Sequence, residues 1–296
     1  MNYRSCKMSA FPTDIIRSIG TTSGISIINI TSVHGGDINQ CFCVADNANK
    51  YFLKINDAER YPLMFEKEAK GLEALKESFS LIVAKVIRYG ISGQYQYLLL
   101  EWLDKDPIQK NSMYNFGAAL AQMHKTPQPL FGWQEDNFIG SLQQSNIQLE
   151  DWNSFYAQCR IIPMAQKLFA DKVFDKKDLA DTVSLCKNIN NIFPKEPASL
   201  LHGDLWGGNY MITSGGKAAI FDPAVYYGHR EMDIGMTRLF GGFDTSFYTG
   251  YNDVYPLEKE WEKRISLTQL YPVLVHAVLF GGHYIYSAKE IIRKFT

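Results

Sequence analysis

Two carboxylates and one carboxamide stand close together about two thirds of the way along the chain: Asp204, Asn209 and Asp222. Each lies just beyond a short apolar run, Leu200-Leu201 or Ile220-Phe221, with Gly203, Gly207 and Gly208 between them. A carboxylate at the end of such a run can accept the proton of an attacking hydroxyl. A second carboxylate, helped by a neutral amide oxygen, can hold magnesium, a hard ion that keeps part of its shell for phosphate and water. These residue types make Asp204 the expected base and Asn209 and Asp222 the expected metal ligands of a phosphoryl transfer. The plain alternative is a turn stabilised by His202 and Asp204, with the glycines as punctuation.

The spacing favours the chemical reading. His202, Asp204 and Asn209 follow H-x-D-x-x-x-x-N, the pattern of a phosphotransferase catalytic loop, and Asp222 stands where a metal-binding aspartate follows it. One departure is visible: the Asp-Phe-Gly of protein kinases is Asp222-Pro223-Ala224 in this chain.

The elements needed to position these groups can be read around them. Thr13 is the expected N-cap of a short helix within 11–19. Branched residues over 25–33, then 41–45 and 51–55, predict three strands joined by a Gly-bearing loop and a tight turn. In that loop Gly35, Gly36 and Asn39 could let backbone N–H groups approach phosphate oxygens, and an ordinary hairpin turn fits the same residues. Lys54 sits in the third strand. It reads either as an edge charge reaching solvent or as the lysine that pairs with nucleotide phosphates. A helix over 62–76 then supplies Glu68 to orient it; Glu68, rather than Glu66, falls near the apolar face. Strands over 82–89 and 95–100 run into Glu101, Trp102 and Leu103, which read as a connector whose backbone would face adenine.

Beyond Asp104 the pattern turns helical. Met113, Phe116, Leu120 and Met123 form a stripe that ends at Pro127, and His124 on this helix reads as a packed or capping side chain. Residues 130–146 read as a loop, and 151–167 and 177–192 as helices. Two short strands flank a Gly215-Gly216 turn. The last sixty residues read as helices broken at 240–243 and 280–283.

Bulk properties narrow the function. The chain has 296 residues, 46% of them apolar, so it can bury a substantial core. With 30 basic and 31 acidic residues the formal net charge is -1, which gives no electrostatic footprint for nucleic acid or an anionic membrane. The five cysteines are odd in number and lack metal-type spacing, which predicts reduced thiols in a cytoplasmic protein.

Taken together, these residues resemble the fructosamine kinase (ketosamine-3-kinase) family, which sits with the aminoglycoside and choline kinases in the protein-kinase-like fold. The likeness runs from about Ile15 to Lys294. It is carried by His202–Asn209 with Trp206, by Asp222-Pro223-Ala224, by Gly228-His229-Arg230-Glu231 with Asp233, and by Leu239–Phe243. The resemblance implies a bilobal α+β fold: a small, mostly antiparallel β lobe over 1–103 and a larger helical lobe over 104–296, with ATP and magnesium between them. It also implies phosphorylation of the 3-hydroxyl of a ketosamine, the adduct of a sugar with a small or protein-bound amine, leading to deglycation. The alternative is an aminoglycoside- or choline-type kinase on the same scaffold. Trp206, His229, Glu231, Phe243 and His283 are the expected acceptor residues. Some relatives carry a cysteine in the nucleotide loop where this chain has Asp37. Between Asn146 and Glu196 seven acids are balanced by seven bases, so this insert has no acidic bias to attract a polycation.

Overall fold

The structure, a computed structural model, describes residues 12–33 and 38–296. Gly35, Gly36 and Asp37 lie outside the described residues. The described chain divides into two compact units. One runs to Ala69 and resumes over Lys85–Trp102; the other is Lys70–Ala84 with Leu103–Thr296.

The first unit opens with α1 (Thr13–Ser23), whose N-cap is Pro12, so Thr13 is already inside the helix. There follow β1 (Asn29–Val33), β2 (Gln40–Ala45), β3 (Lys50–Asp57), α2 (Met64–Glu77), the two-residue β4 (Ile82–Val83), β5 (Val86–Ser92) and β6 (Tyr95–Glu101). The division between units falls within α2, and β4 belongs to the second. Five strands form one antiparallel sheet in the order β1-β2-β3-β6-β5. Alternation along β3 sends Leu53 and Ile55 to one face, opposite Leu99 and Tyr97 of β6. Ile15 and Ile19, one turn apart on α1, complete that core with no exposed surface. Each such side chain, once buried, contributes about 1.5–3 kcal/mol, so a polar residue at Ile19 would unseat the helix. Where one strand is expected over 82–89 there are two. The break is at Lys85, whose N–H turns to the Glu101 carboxylate (3.1 Å).

The second unit begins its larger part with α3 (Ser112–His124), β7 (Pro127–Gln128), β8 (Asn137–Ile139) and β9 (Leu142–Gln144). α4 (Trp152–Tyr156) passes through a π-helical stretch into α5 (Ile162–Ala170), and α6 (Lys176–Asn188) starts on a reciprocal Asp175/Asp178 capping box. Next come β10 (Ala198–Leu201), β11 (Tyr210–Ile212), β12 (Ala218–Ile220) and β13 (Tyr226–Gly228). The chain finishes with α7 (Glu231–Arg238), α8 (Thr245–Val254), α9 (Trp261–Thr268), α10 (Leu270–Phe280) and α11 (His283–Phe295). β10 pairs with β13 and β7, while β12 pairs antiparallel with β11 and parallel with β4. The helices close over a core containing Trp152, Phe155, Tyr156, Leu201, Tyr226, Leu270 and Leu274. Residues 130–146, read as a loop, contain the hairpin β8–β9. Three-residue strands are too short to announce themselves by alternation. No helix among the described residues is long and apolar enough to cross a membrane.

Candidate active site

In the first unit Lys54 is not an edge charge. β3 is the middle strand of five, and Lys54 is 2% exposed on the face opposite Leu53. Its ammonium donates to both carboxylate oxygens of Glu68 on α2, at 2.7 and 2.9 Å. A buried pair of this kind offsets its desolvation only while both members are present. Asn39 is tied to the same strand: its Oδ1 accepts from Asn56 Nδ2 at 2.8 Å. Glu101 closes β6, and Trp102 meets the Phe52 ring at a centroid distance of 6.3 Å. The division between units passes between Trp102 and Leu103.

In the second unit β10 delivers His202, Gly203 and Asp204, and β12 delivers Asp222. Two short strands thus set the ends of two loops, and side chains lock the loops together. His202 is fully buried. Its Nε2 donates to Phe221 O (3.0 Å), so in the neutral ring Nδ1 accepts the Asp204 N–H (3.2 Å). Burial holds the ring neutral by lowering its pKa, against the pull of Asp233 and Asp222. The Ala224 N–H donates to His202 O (2.9 Å), and the loops approach so closely that a Cβ on Gly203 (φ 81°) would lie 2.1 Å from Ala224 O. Only glycine fits there. Asp222 itself has φ 56°, a left-handed backbone that costs a non-glycine residue energy and is kept where surroundings enforce it.

Asn209 joins the two loops. Its Nδ2 donates to Asp204 O (2.8 Å) and Oδ2 (3.1 Å) and lies 3.5 Å from Asp222 O. The amide nitrogen is thereby committed, and Oδ1 takes part in none of these bonds. Burial pushes the Asp204 carboxyl well above the usual carboxylate range. The charges of Asp222 and Asp233 push it further up, and the Asn209 bond pulls it down. Asn209 Oδ1 and the Asp222 carboxylate are the oxygen donors here that could hold a cation. The donor set suits magnesium, which needs only one or two protein ligands when phosphate supplies others. Among the described residues no cluster of three or more His, Cys, Asp or Glu forms a metal cage of protein ligands alone.

The match to known proteins can be set beside this geometry. The sequence profile of the fructosamine kinase family matches residues 13–296. The chain belongs to the fructosamine kinase family. It is 38% identical to a probable ketoamine kinase of Synechocystis sp., over 95% of each chain. It is also 38% identical to a chloroplastic protein-ribulosamine 3-kinase of Arabidopsis thaliana, over 96% of this chain and 88% of the relative. The solved structure of a candidate fructosamine-3-kinase from Haemophilus somnus superposes with a TM-score of 0.86 at 28% identity, covering 96% and 97% of the two chains. A spectinomycin phosphotransferase shares the fold alone, with a TM-score of 0.62 at 13% identity and coverage of 97% and 95%. The chain is therefore a phosphotransferase of protein-kinase-like fold that acts on a hydroxyl group.

The residues expected to meet the acceptor part company. Trp206 is 36% exposed and lies across Gly208, where a Cβ would come within 2.3 Å of the ring. It is not a core tryptophan. Its ring meets Phe240 edge-on (5.8 Å), Phe240 meets His276 (5.0 Å), and His276 meets Tyr284 (4.9 Å), so an aromatic strip extends from the loop. His283 is exposed and stacks on Tyr284. His229 and Glu231 point elsewhere. Both are buried, Glu231 with its two oxygens on Arg264 and His229 beside Glu196 (3.6 Å), which also receives Arg230. Both are enclosed by the fold, and Glu231 is ion-paired with Arg264. A spacing of two residues on a loop cannot tell a charge that faces in from one that faces out. Phe243 packs on Tyr210, Phe247 and Phe116, an aromatic cluster, at 4.8, 5.0 and 5.7 Å.

Two parts of the site escaped the sequence reading. Asp233 on α7 is wholly buried and accepts the His202 and Gly203 N–H groups at 2.8 and 2.9 Å. Burial alone would raise its pKa, but bonds from His124 and these amides hold it below the usual range. The β8–β9 hairpin grips the other loop: Asn137 Nδ2 donates to Val225 O (2.7 Å) and Gln144 Nε2 to Ala224 O (3.2 Å). The signal for Asp233 was present, as an acid two places beyond Glu231, but nothing in the sequence names its partners.

Proposed function

We propose that the chain phosphorylates the 3-hydroxyl of ketosamines with ATP, and that Asp204 is the base. The observation that carries this reading is the arrangement of Asp204, Asn209 and Asp222: one carboxyl of raised pKa, and one amide whose nitrogen binds it while its oxygen is left for a cation. In the reaction the sugar O3 attacks the γ-phosphorus, the bond from that phosphorus to the β–γ bridging oxygen breaks, ADP leaves, and the O3 proton passes to Asp204. Asn209 and Asp222 would hold magnesium, which offsets phosphate charge and lowers the barrier to leaving-group departure. Lys54, held by Glu68, pairs with the nucleotide phosphates, and Glu101, Trp102 and Leu103 flank adenine. Asn39 contributes through its backbone, since its side-chain oxygen is tied to Asn56. Trp206, Phe240 and His276 offer aromatic faces to the sugar and its amine. His276 donates Nδ1–H to Pro272 O (2.7 Å), so its neutral ring presents Nε2 as an acceptor.

The relatives named ketoamine kinase and protein-ribulosamine 3-kinase support the ketosamine as acceptor. The 3-phosphate then decomposes to free the amine, so the net effect is deglycation. A cytoplasmic setting suits the thiols of Cys43, Cys159 and Cys186. The test is ADP release across synthetic fructosamines, ribulosamines and erythrulosamines beside kanamycin, with the product phosphate located by NMR. Phosphate on O3 of a ketosamine supports the reading. Turnover of kanamycin with every ketosamine inert would sink it.

A further inference from the structure

Asp233 fixes the loop that bears Asp204, but something must fix Asp233. Its Oδ2 lies 3.2 Å from His124 Nε2, and His124 Nδ1 lies 2.8 Å from the Tyr251 hydroxyl. All three side chains are at most 1% exposed, so no water competes for these bonds. Their donor order can be worked out. The Asp233 carboxylate already takes two backbone N–H groups and can only accept, so His124 Nε2 donates to it. In the neutral ring Nδ1 is then the acceptor, and it takes the Tyr251 proton. Each bond requires the direction of the one before it.

The backbone makes the chain rigid. His124 lies on α3 and Tyr251 on α8, and these helices touch almost backbone to backbone. A Cβ on Gly117 would lie 1.8 Å from Phe247 O, and one on Gly250 would lie 2.0 Å from Tyr114 O. His124 is two turns beyond Gly117, on the same face, and Tyr251 is the residue after Gly250. The reciprocal glycines therefore set the distance across which the imidazole reaches.

We propose that His124 and Tyr251 are positioning residues for phosphoryl transfer: a directed chain of hydrogen bonds, Tyr251 to His124 to Asp233, orients the loop that carries Asp204. This deepens the proposed function and rests on Asp204 as its base. Neither residue touches the reacting atoms. They act by holding Asp204 in line, and a displacement near 1 Å at a reacting group can cost on the order of 10²-fold in rate.

The test compares Tyr251→Phe, His124→Gln and His124→Leu in the full-length protein, with Asp204→Asn as the control, by steady-state kinetics and thermal unfolding. Tyr251→Phe removes one oxygen from a filled site and should melt near the wild type. Its kcat should fall about 10-fold or more, with KM for ATP and for the ketosamine each within about twofold, because only alignment is lost. His124→Leu should lose about 10²-fold in kcat. His124→Gln, which can still donate to Asp233, should recover most of it. ¹⁵N NMR of the wild type should show His124 protonated at Nε2 and not at Nδ1. Wild-type kcat in Tyr251→Phe, an Nδ1–H tautomer, or equal kcat in the glutamine and leucine variants would each overturn the relay. If Asp204→Asn itself keeps wild-type turnover, the underlying reading fails instead, and the two failures are distinct.

Discussion

Each unit holds a carboxylate that the proposed function uses, and the two are surrounded in opposite ways. Glu68 is set against a cation of its own unit, with Lys54 bonded to both of its oxygens. Asp204 is set beside two further carboxylates, Asp222 and Asp233. In the first pair the two charges meet directly. In the second cluster the charges of Asp222 and Asp233 add to burial in raising the Asp204 pKa. A preformed lysine can grip phosphate without rearranging. Carboxylates gathered in this way would favour a divalent ion, and with the ion in place Asp204 would be the base we propose.

The sharpest way to break this comparison is to remove the base. Asp204→Asn keeps size and hydrogen bonding and should lower kcat by about 10²–10⁴-fold while nucleotide affinity, measured by calorimetry, stays near normal. Wild-type turnover with an intact fold would show that Asp204 is not the base. The metal ligands come next. Asp222→Ala should abolish turnover at every magnesium concentration, whereas Asn209→Ala should be partly rescued by excess magnesium, since a neutral oxygen contributes less to a hard cation. Equal, magnesium-independent losses would contradict both roles.

The Lys54–Glu68 pair gives a different signature. Lys54→Met should destabilise the fold by about 3 kcal/mol in denaturant melts, because Glu68 keeps its charge without its partner. Adding Glu68→Gln should restore much of that stability without restoring ATP turnover. If the double variant is no more stable than the single, the pair is not the source of the loss. A smaller effect should appear in the pH profile. Asp204 must be ionised to act, so kcat/KM should fall as pH drops through its raised pKa. Magnesium held by Asp222, as proposed, would offset its charge and lower that pKa, so the acid limb should move to lower pH as magnesium is increased. A limb that ignores magnesium would uncouple the two carboxylates. The smallest change is expected at the aromatic strip: Trp206→Leu should raise the ketosamine KM a few-fold, leaving that for ATP unchanged. Lost melting temperature with unaltered kinetics would count against an acceptor contact.

Groups proposed to do the chemistry were easier to pick out of the chain than groups that hold them. Asp204, Asn209 and Asp222 are marked by fixed spacing along one stretch, because two loops between short strands must place all three. Lys54 is marked by being a charge among apolar residues, although only the sheet order shows that β3 lies in the middle. His229 and Glu231 share a dense polar run with Asp233, and their directions depend on partners such as Glu196 and Arg264, far away in sequence. The β8–β9 hairpin was missed because its strands are too short to show a period and its work is done by amides, which carry no charge to attract notice. Asp233, His124 and Tyr251 come from three separate helices, so no local pattern could have joined them.

The bonds from the His202 and Gly203 amides to Asp233 have a consequence for motion. Loops ordinarily exchange their amide protons early and accept insertions readily. Here two loop protons end on a carboxylate with no exposed surface, clamped from three helices. They should exchange with solvent only when the second unit opens globally, as slowly as the protons of α10. The most reactive segment of the chain would then be among the last to breathe.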